Sequence, residues 1–599
     1  MRKIHVVMIT AILSGVSLNG LAQDADKKNE DLKREMTLER VYDPIVQDAT
    51  KVNTLPVVRE MNVQKRPIVY SDYSIAVIPE KEMSVLPPVE LMTGVDHLSR
   101  KGYLHFGGGM LMNMMGDFGY HLIDNSKSQL GVNFSHRSMN GNVKFDDKWN
   151  IEKRKAKFND NFGGLDFKHH FDMATMKLGG KFGHSAFNYY GMPTNLMLTP
   201  GADATCDTMT NQGNRLINLY GGIASDLPYS LGYHFGVDYT NFKQKYSLHK
   251  DLEGMTENHI ALDMGMSSPV NDGRTFGADL NMNILSYSEP TRSNSVILDS
   301  AAFNTHVNAT LNPYFSMKSD TWKLLLGFNF MLVSQNSETD VYVSPNISFD
   351  AAVTNWTVFY ATLGGGIESN SMAEISRLNR YINPAFTADA SKTWADLKLG
   401  IRSSASAGLW FDIFAGYKYT ESDLLFNPSS YPWISNGFNN VSMAFQPTTQ
   451  RIQVGATLKY DFRKVVDFYV KGVYNYYNVK DDDTWKNTYA TTGMIDDNEE
   501  LKAYGRPSFV ANIGINIRPI TPLTFNLDYC MMTGMQAYTD KENVKMKAIN
   551  DLRFRASWQF NDMIGAYAQF NNLLFQKYEL YYGYPMQPFS AMVGFSLNF

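Results

Sequence analysis

The chain has 599 residues, of which 19% are charged and 13% aromatic, and it is rich in glycine and tyrosine. Its formal net charge is −5 and it has no basic block, so it lacks the electrostatic footprint of a nucleic-acid-binding protein. After the first two dozen residues, no segment approaches the ~18 consecutive apolar residues that a membrane helix needs. These features exclude nucleic-acid-binding proteins and helical membrane proteins.

The first 22 residues have the pattern of a secretory signal peptide. Arg2 and Lys3 precede an apolar run, which ends in small residues suited to cleavage. We therefore predict that the mature chain begins near Gln23 and is exported.

Residues 23–100 differ in character from everything downstream. Their charged first part, 24–40, favours a short helix, whereas prolines at 44, 56, 67, 79, 87 and 88 keep the following segment extended and break any regular ladder. We interpret this stretch as a Pro-rich, mostly irregular periplasmic extension.

Residues 101–599 form a long series of segments in which apolar and polar residues alternate. In the last of them, Ala591, Val593, Phe595 and Leu597 share one face, and small or polar residues share the other. This period fits a soluble sandwich, whose apolar face is buried. It also fits a transmembrane barrel, whose apolar face meets lipid and whose closure leaves no unpaired edge. The number of segments distinguishes the two.

Ten short breaks and eleven longer polar connections separate these segments. An up-and-down barrel with both ends on one side has one more outer loop than inner turn, so the pattern predicts about 22 antiparallel strands. The short breaks lie at 124–128, 171–175, 226–229, 268–273, 318–321, 352–355, 403–408, 461–465, 518–522 and 561–563.

Aromatic clusters at segment ends suit the girdles of a membrane barrel. The polar faces of the same segments are predicted to line the lumen. The girdle candidates are Tyr474, Tyr476 and Tyr477, Tyr189 and Tyr190, and Tyr460 with Phe462. The lumen candidates are Lys459, Asp467, Lys471, Arg553 and Arg555.

The C-terminal segment carries a family resemblance. Residues 571–578, Asn-Asn-Leu-Leu-Phe-Gln-Lys-Tyr, are followed by Gly583-Tyr584-Pro585 and a strand that ends at Phe599. This resembles the end of TonB-dependent outer-membrane receptors, where Asn-Leu-Phe-x-x-x-Tyr precedes Gly-x-Pro. The resemblance implies a 22-stranded barrel in the cell outer membrane that takes part in ligand binding and uptake.

The N-terminal region departs from that family, whose members carry a globular plug and a TonB-contacting box. Residues 23–100 are too few and too rich in proline for the plug, so the resemblance implies a plug-less relative. Glu35, Met36, Thr37 and Leu38 faintly resemble the box, although a charged helix or linker also fits. TonB is thus a doubtful partner.

Two of the outer loops, 421–439 and 576–589, are rich in aromatic residues. Such residues offer stacking surfaces to a ligand or protein partner, or they fold over the barrel mouth as a lid. A third loop, 480–500, is acidic and fits either a calcium site or a solvated surface. The candidate contacts are Tyr431, Trp433, Phe438, Tyr581, Tyr582 and Tyr584.

The sequence contains no recognisable catalytic, cofactor or metal motif. All twelve histidines lie at or before His306 and are scattered, and Cys206 and Cys530 are more simply unpaired than bridged. We therefore expect no enzyme and no cofactor.

Two hypotheses follow, and both place the barrel in outer-membrane lipid. In the first, the barrel takes part in uptake, with the N-terminal extension gating the lumen. In the second, it is a structural or assembly component whose extension binds a periplasmic or surface protein.

Overall fold

A computed structural model describes residues 100–149, 151–192, 211–226, 231–248, 252–271, 273–288, 304–406, 408–428, 440–462, 465–480, 500–539 and 542–599. Several expectations fall outside these residues. They are the signal peptide 1–22, the extension from 23 to 99 with its box-like Glu35, Met36, Thr37 and Leu38, the loop residues Tyr431, Trp433 and Phe438, and residues 481–499 of the acidic loop.

The described chain is almost entirely β-structure, as the alternation predicts. In chain order the strands are β1 (Gly102–Gly109), β2 (Met114–Asp124), β3 (Ser128–Lys144), β4 (Lys153–His170), β5 (Ala174–Asn188), β6 (Asn211–Ser225), β7 (Gly232–Gln244), β8 (Thr256–Asn271), β9 (Arg274–Ser288), β10 (His306–Lys318), β11 (Trp322–Gln335), β12 (Glu338–Thr354), β13 (Thr357–Glu368), β14 (Ser391–Ser406), β15 (Leu409–Glu421), β16 (Leu425–Pro428), β17 (Ser442–Phe445), β18 (Thr448–Phe462), β19 (Val466–Lys480), β20 (Phe509–Ile520), β21 (Leu523–Thr533), β22 (Gln536–Thr539), β23 (Glu542–Lys545), β24 (Ile549–Gln559), β25 (Ile564–Asn571), β26 (Glu579–Tyr581), β27 (Tyr584–Pro585) and β28 (Ser590–Asn598).

Twenty-two of these strands form one closed antiparallel barrel. Each pairs with the next along the chain, and β1 pairs with β28 to close the ring. The prediction of a 22-stranded up-and-down barrel is confirmed. The other six strands form the hairpins β16–β17, β22–β23 and β26–β27 within connections. The described residues include one α-helix, Met372–Leu378, and none of their helices is long and apolar enough to cross a bilayer.

The barrel has a short-turn rim and a long-loop rim. The connections at the short-turn rim fall at or beside the ten predicted breaks. In two of them Gly273 and Gly408 have φ of 76° and 85°, and a Cβ on either would collide with a backbone carbonyl of the neighbouring turn. One connection at the long-loop rim is also tight, because Asn336 and Ser337 both have positive φ, which suits a two-residue hairpin.

The strands expose apolar side chains outward and turn polar or small ones inward. On β18, for example, Ile452 and Val454 are about half exposed, whereas Gln453 between them is buried. Tyr474 and Tyr476 are exposed on the outward face, as a girdle requires. The girdle prediction for Tyr189 and Tyr190 is wrong, because both are buried among loops at the long-loop rim.

Several inward aromatic rings lie flat over a glycine of the neighbouring strand. Tyr360 covers Gly400, and in each such pair a Cβ on the glycine would enter the ring. The same arrangement pairs Tyr220 with Gly179, Tyr314 with Gly277 and Phe414 with Gly455. The close approach of a ring accounts for glycine, a poor strand former, at these four positions.

Candidate functional site

The largest buried apolar cluster of the described residues lies at the long-loop rim. Its members come from loops and from the inward faces of the strand ends beside them. We call the loop segments 145–149, 189–192, 369–390, 440–447 and 572–589 the lid. The buried members of the cluster are Met139, Val143, Phe145, Ala156, Phe187, Tyr189, Tyr190, Met192, Leu248, Ala385, Val441 and Tyr584.

The lid lies across the mouth of the barrel. Tyr381, from the connection between β13 and β14, stacks on Tyr584, from the connection between β25 and β28, with ring centroids 3.9 Å apart. These connections are eight strands apart in a ring of 22. Segments rooted on such distant parts of the wall meet only by reaching over the lumen.

Buried phenols join the lid segments to one another. Tyr189 donates to the carbonyl of Ile382 at 3.0 Å, and Tyr190 donates to that of Pro585 at 2.8 Å. Tyr584 donates to the carbonyl of Asn440 at 2.5 Å. A buried phenol needs such an acceptor, so the three bonds fix how the segments dock.

A short parallel β-bridge reinforces this docking. Ile382 and Ser442 pair in register. The amide of Asn383 donates to the Ser442 carbonyl at 2.8 Å, and the Ser442 amide donates to the Tyr381 carbonyl at 2.7 Å. The connections that follow β13 and β15 therefore form one unit.

The lid helix is fastened to the barrel wall. Ser371 caps it by accepting from the Glu374 amide, and the buried carboxylate of Glu257 on β8 accepts from the Met372 amide at 2.5 Å. Met372 and Ile375 pack on buried side chains from β7 and β9. The helix has only seven residues, so this packing rather than helix propensity stabilises it.

An ion pair joins the lid to the opposite wall. The Arg380 guanidinium lies 2.9 Å from the Asp160 carboxylate of β4, nine strands away in the ring, and over the Phe158 ring. Asp160 also accepts from Ser185. The Asp160 side chain is 13% exposed and that of Arg380 is 31% exposed, so water screens the pair only partly.

A second set of polar contacts holds the connection between β25 and β28. Glu579 accepts from the Trp149 indole at 2.6 Å and from Lys148 at 3.1 Å, so it binds the connection between β3 and β4. The same connection between β3 and β4 also binds Lys547, which lies just before β24, through an ion pair of 2.7 Å with Asp146. The hydrogen bond from Lys547 lowers the pKa of the Asp146 carboxyl.

Burial keeps the lid phenols neutral. It raises the pKa of Tyr189, Tyr190 and Tyr584 well above the usual value for tyrosine, since an ionised phenolate would have no water to solvate it. The packed lid therefore depends on protonated tyrosines.

The predicted loop contacts that are described belong to this lid. Tyr584 is buried in its core, and Tyr581 is partly buried and donates to the Leu378 carbonyl. Tyr582 packs edge-on against Trp149 at 5.2 Å, with Lys148 over its ring. The sequence left two roles open for these aromatic residues, a stacking surface for a partner or a lid over the barrel mouth. The positions of Tyr581, Tyr582 and Tyr584 in the structure correspond to the lid.

The five lumen candidates lie on strand faces opposite the exposed apolar side chains. Asp467 pairs with Arg518 at 2.5 Å, and Lys459 lies over the Trp410 ring. Lys471 lies on the same face of β19 as Asp467. Arg553 forms an ion pair with Asp551, and the Arg555 guanidinium lies over the Tyr567 ring.

Sequence reasoning missed the residues that hold the lid, namely Asp160, Glu257, Arg380 and Tyr381. Only the helix had a legible signal, because Ser371 with Glu374 three residues later matches a capping box. In the described residues, no group of three or more histidine, cysteine or acidic residues is placed to hold a metal ion.

No protein-family model and no curated protein matches the sequence. The FrpB iron transporter from Neisseria meningitidis (F3-3 variant) matches its structure with a TM-score of 0.62 at 9% identity, over 84% of this chain and 81% of that chain. The ferric yersiniabactin uptake receptor FyuA from Yersinia pestis matches with 0.59 at 12% identity, over 84% and 80%. The copper transporter OprC matches with 0.58 at 9% identity, over 83% and 80%.

The chain has the fold of these transporters. At such identities the likeness establishes the fold alone, and it confirms at that level the resemblance noted in the C-terminal segment. The matched proteins are named as transporters and receptors. The plug-less character rests on residues outside the described part of the chain and stays a prediction.

Proposed function

We propose that the protein is an outer-membrane uptake barrel whose mouth is gated by its own loops. The fold that it shares with iron and copper transporters supports the location and the transport role. The single observation that carries the gating is the lid, in which segments from walls eight to nine strands apart interlock over the lumen.

The way the lid is held suits a gate. The barrel wall is a continuous ladder of backbone hydrogen bonds. The described lid segments contact it mainly through bonds that involve side chains, the ion pair between Arg380 and Asp160, and apolar packing, with few backbone bonds such as that from Leu573 to Leu552. Elements with fewer backbone bonds open at lower free energy than core strands do. The lid can therefore open while the ring stays intact.

Below the lid, inward polar side chains supply the path. The proposed lining residues are Lys459, Asp467, Lys471, Arg553 and Arg555. Their mixture of charges, with the pair between Asp467 and Arg518, suits a polar or charged solute rather than an apolar one.

A tether across the mouth tests the gate. Both native cysteines are first replaced (Cys206→Ser, Cys530→Ser). The double variant Asp160→Cys, Arg380→Cys in that background lacks the cross-mouth ion pair and carries one thiol on the barrel wall and one on the lid. A short bis-maleimide then joins them. We expect the untethered protein to conduct at least tenfold more in planar bilayers than the tethered one.

The matched control is the same double variant treated with N-ethylmaleimide, which modifies both thiols without joining them. Equal conductance of the tethered and the N-ethylmaleimide-treated proteins would contradict the gate. Intact barrels are verified in both samples by heat-dependent migration on gels.

A further inference from the structure

The outward face of β3 to β7 carries a cluster of basic side chains at the long-loop rim. All but Lys243, which is partly buried, are exposed, and each shares its strand's face with exposed apolar residues such as Phe134, Leu165, Phe182, Leu219 and Phe235. We call the cluster the outer basic patch. It comprises Lys144, Lys153, Lys155, Lys157, His184, Arg215 and Lys243.

The strand registers bring like charges directly opposite each other in this patch. Lys144 pairs with Lys153 across β3 and β4, and Arg215 pairs with Lys243 across β6 and β7. His184, which adds no formal charge at pH 7, stands opposite Arg215 on the other side and so does not neutralise it. Directly opposed like charges destabilise a sheet unless an anion neutralises them.

The outer face of these strands supplies no such anion. The carboxylates of β3 to β7 are Asp160, Asp166 and Asp238, and all three bind partners on the inward face. In the described residues, the four patch lysines of β3 and β4, Lys144, Lys153, Lys155 and Lys157, form no ion pair. Lys243 lies 3.8 Å from the loop residue Glu253, whose side chain is 81% exposed.

The outer basic patch begins where the band of exposed apolar side chains on the outward faces of these strands ends. Arg215 is the next outward residue after Ile217 on β6, and His184 follows Phe182 on β5, each one pleat repeat of about 7 Å along the strand. Lys157, Lys155 and Lys153 continue upward along β4. Apolar side chains below and cations immediately above match the profile of a membrane surface.

We propose that the outer basic patch binds the phosphate-bearing headgroups of outer-leaflet glycolipid. Several phosphates on one sugar headgroup neutralise opposed cations on neighbouring strands, and the acyl chains cover the apolar band beneath. The inference rests on the outer-membrane location in the proposed function, with the long-loop rim outward. It does not depend on the gate.

Binding of purified, delipidated protein to detergent micelles carrying bis-phosphorylated lipid A tests the proposal. The patch variant is Lys155→Gln, Lys157→Gln, Arg215→Gln. The matched control, Lys323→Gln, Lys480→Gln, Lys545→Gln, removes the same number of exposed charges elsewhere. We expect binding at least about tenfold weaker for the patch variant and unchanged for the control.

Two further arms identify the source of the anion. Dephosphorylated lipid A in the same micelles should bind the unmodified protein weakly. The proposal would be overturned if the unmodified protein bound both lipid forms equally, or if the patch and control variants lost the same amount of lipid A binding. Tighter binding of a soluble polyanion such as heparin than of lipid A would also overturn it. The patch variant should keep the tether-dependent conductance of the proposed gate. Lipid binding and gating can therefore be contradicted independently of each other.

Discussion

Gly400 shows how single residues shape the inner wall. It lies opposite Tyr360 in the register of β13 and β14, and the Tyr360 ring occupies the space of the missing side chain while its hydroxyl donates to Asp412 at 2.9 Å. The Arg402 guanidinium lies over the same ring. The ring is thus held on several sides and cannot move aside cheaply.

We therefore expect Gly400→Ala to destabilise the barrel by about 1–3 kcal/mol, the usual cost of overpacking a filled site. Urea unfolding in detergent, followed by tryptophan fluorescence, measures the change. Gly472→Ala is the matched control, because a Cβ on Gly472 meets no atom within 4 Å. Equal losses in the two variants would show that the Tyr360 contact is not the cause.

Among the elements, the lid depends most on its buried tyrosines. Their pKa values are raised by burial, so the packed lid retains protons that an open lid releases above the ordinary tyrosine pKa of about 10. The stability of the lid is therefore constant below that pH and falls as the pH rises through it. Tyr189, Tyr190 and Tyr584 are the residues concerned.

We expect conductance in planar bilayers to rise between about pH 9 and pH 11 and to return to its initial value at pH 8. Heat-dependent migration on gels verifies that the barrel stays folded throughout. An alkaline rise that persists after the return to pH 8 would indicate damage to the barrel rather than opening of the lid.

At the scale of the whole molecule, the closed ring determines which distant residues meet. Asp160 on β4 and Arg380 beyond β13 are paired only because the barrel brings opposite walls within reach of one loop. Asp160→Asn keeps the shape but removes the charge, and it leaves the Arg380 guanidinium without its ionic partner. Removing one partner of a partly buried pair costs about 1–3 kcal/mol once solvent screening is allowed for.

This variant should raise the ratio of open to closed lid by roughly one to two orders of magnitude, read as the open fraction in single-channel recordings. Asp166→Asn is the matched control, since Asp166 lies on the same face of β4 but binds Asn133 and Tyr220 of the wall. If Asp166→Asn opened the lid as much as Asp160→Asn does, the cause would be the loss of negative charge from the lumen and not the loss of the ion pair between Asp160 and Arg380.

The sequence by itself determined the barrel. Alternation such as that from Ala591 to Leu597 is a local property of one strand, and short turns such as those at Gly273 and Gly408 are local as well. The number of strands could therefore be predicted from the sequence. The capping signal at Ser371 was equally local.

Only the tertiary structure decided what the loops do. Tyr189, Tyr381 and Tyr584 are separated by hundreds of residues, and their contacts depend on the circumference of the ring and on where each loop leaves it. An aromatic loop residue looks the same in sequence whether it meets a ligand or another loop. The basic patch was likewise hidden, because opposed cations such as Arg215 and Lys243 become neighbours only through strand register.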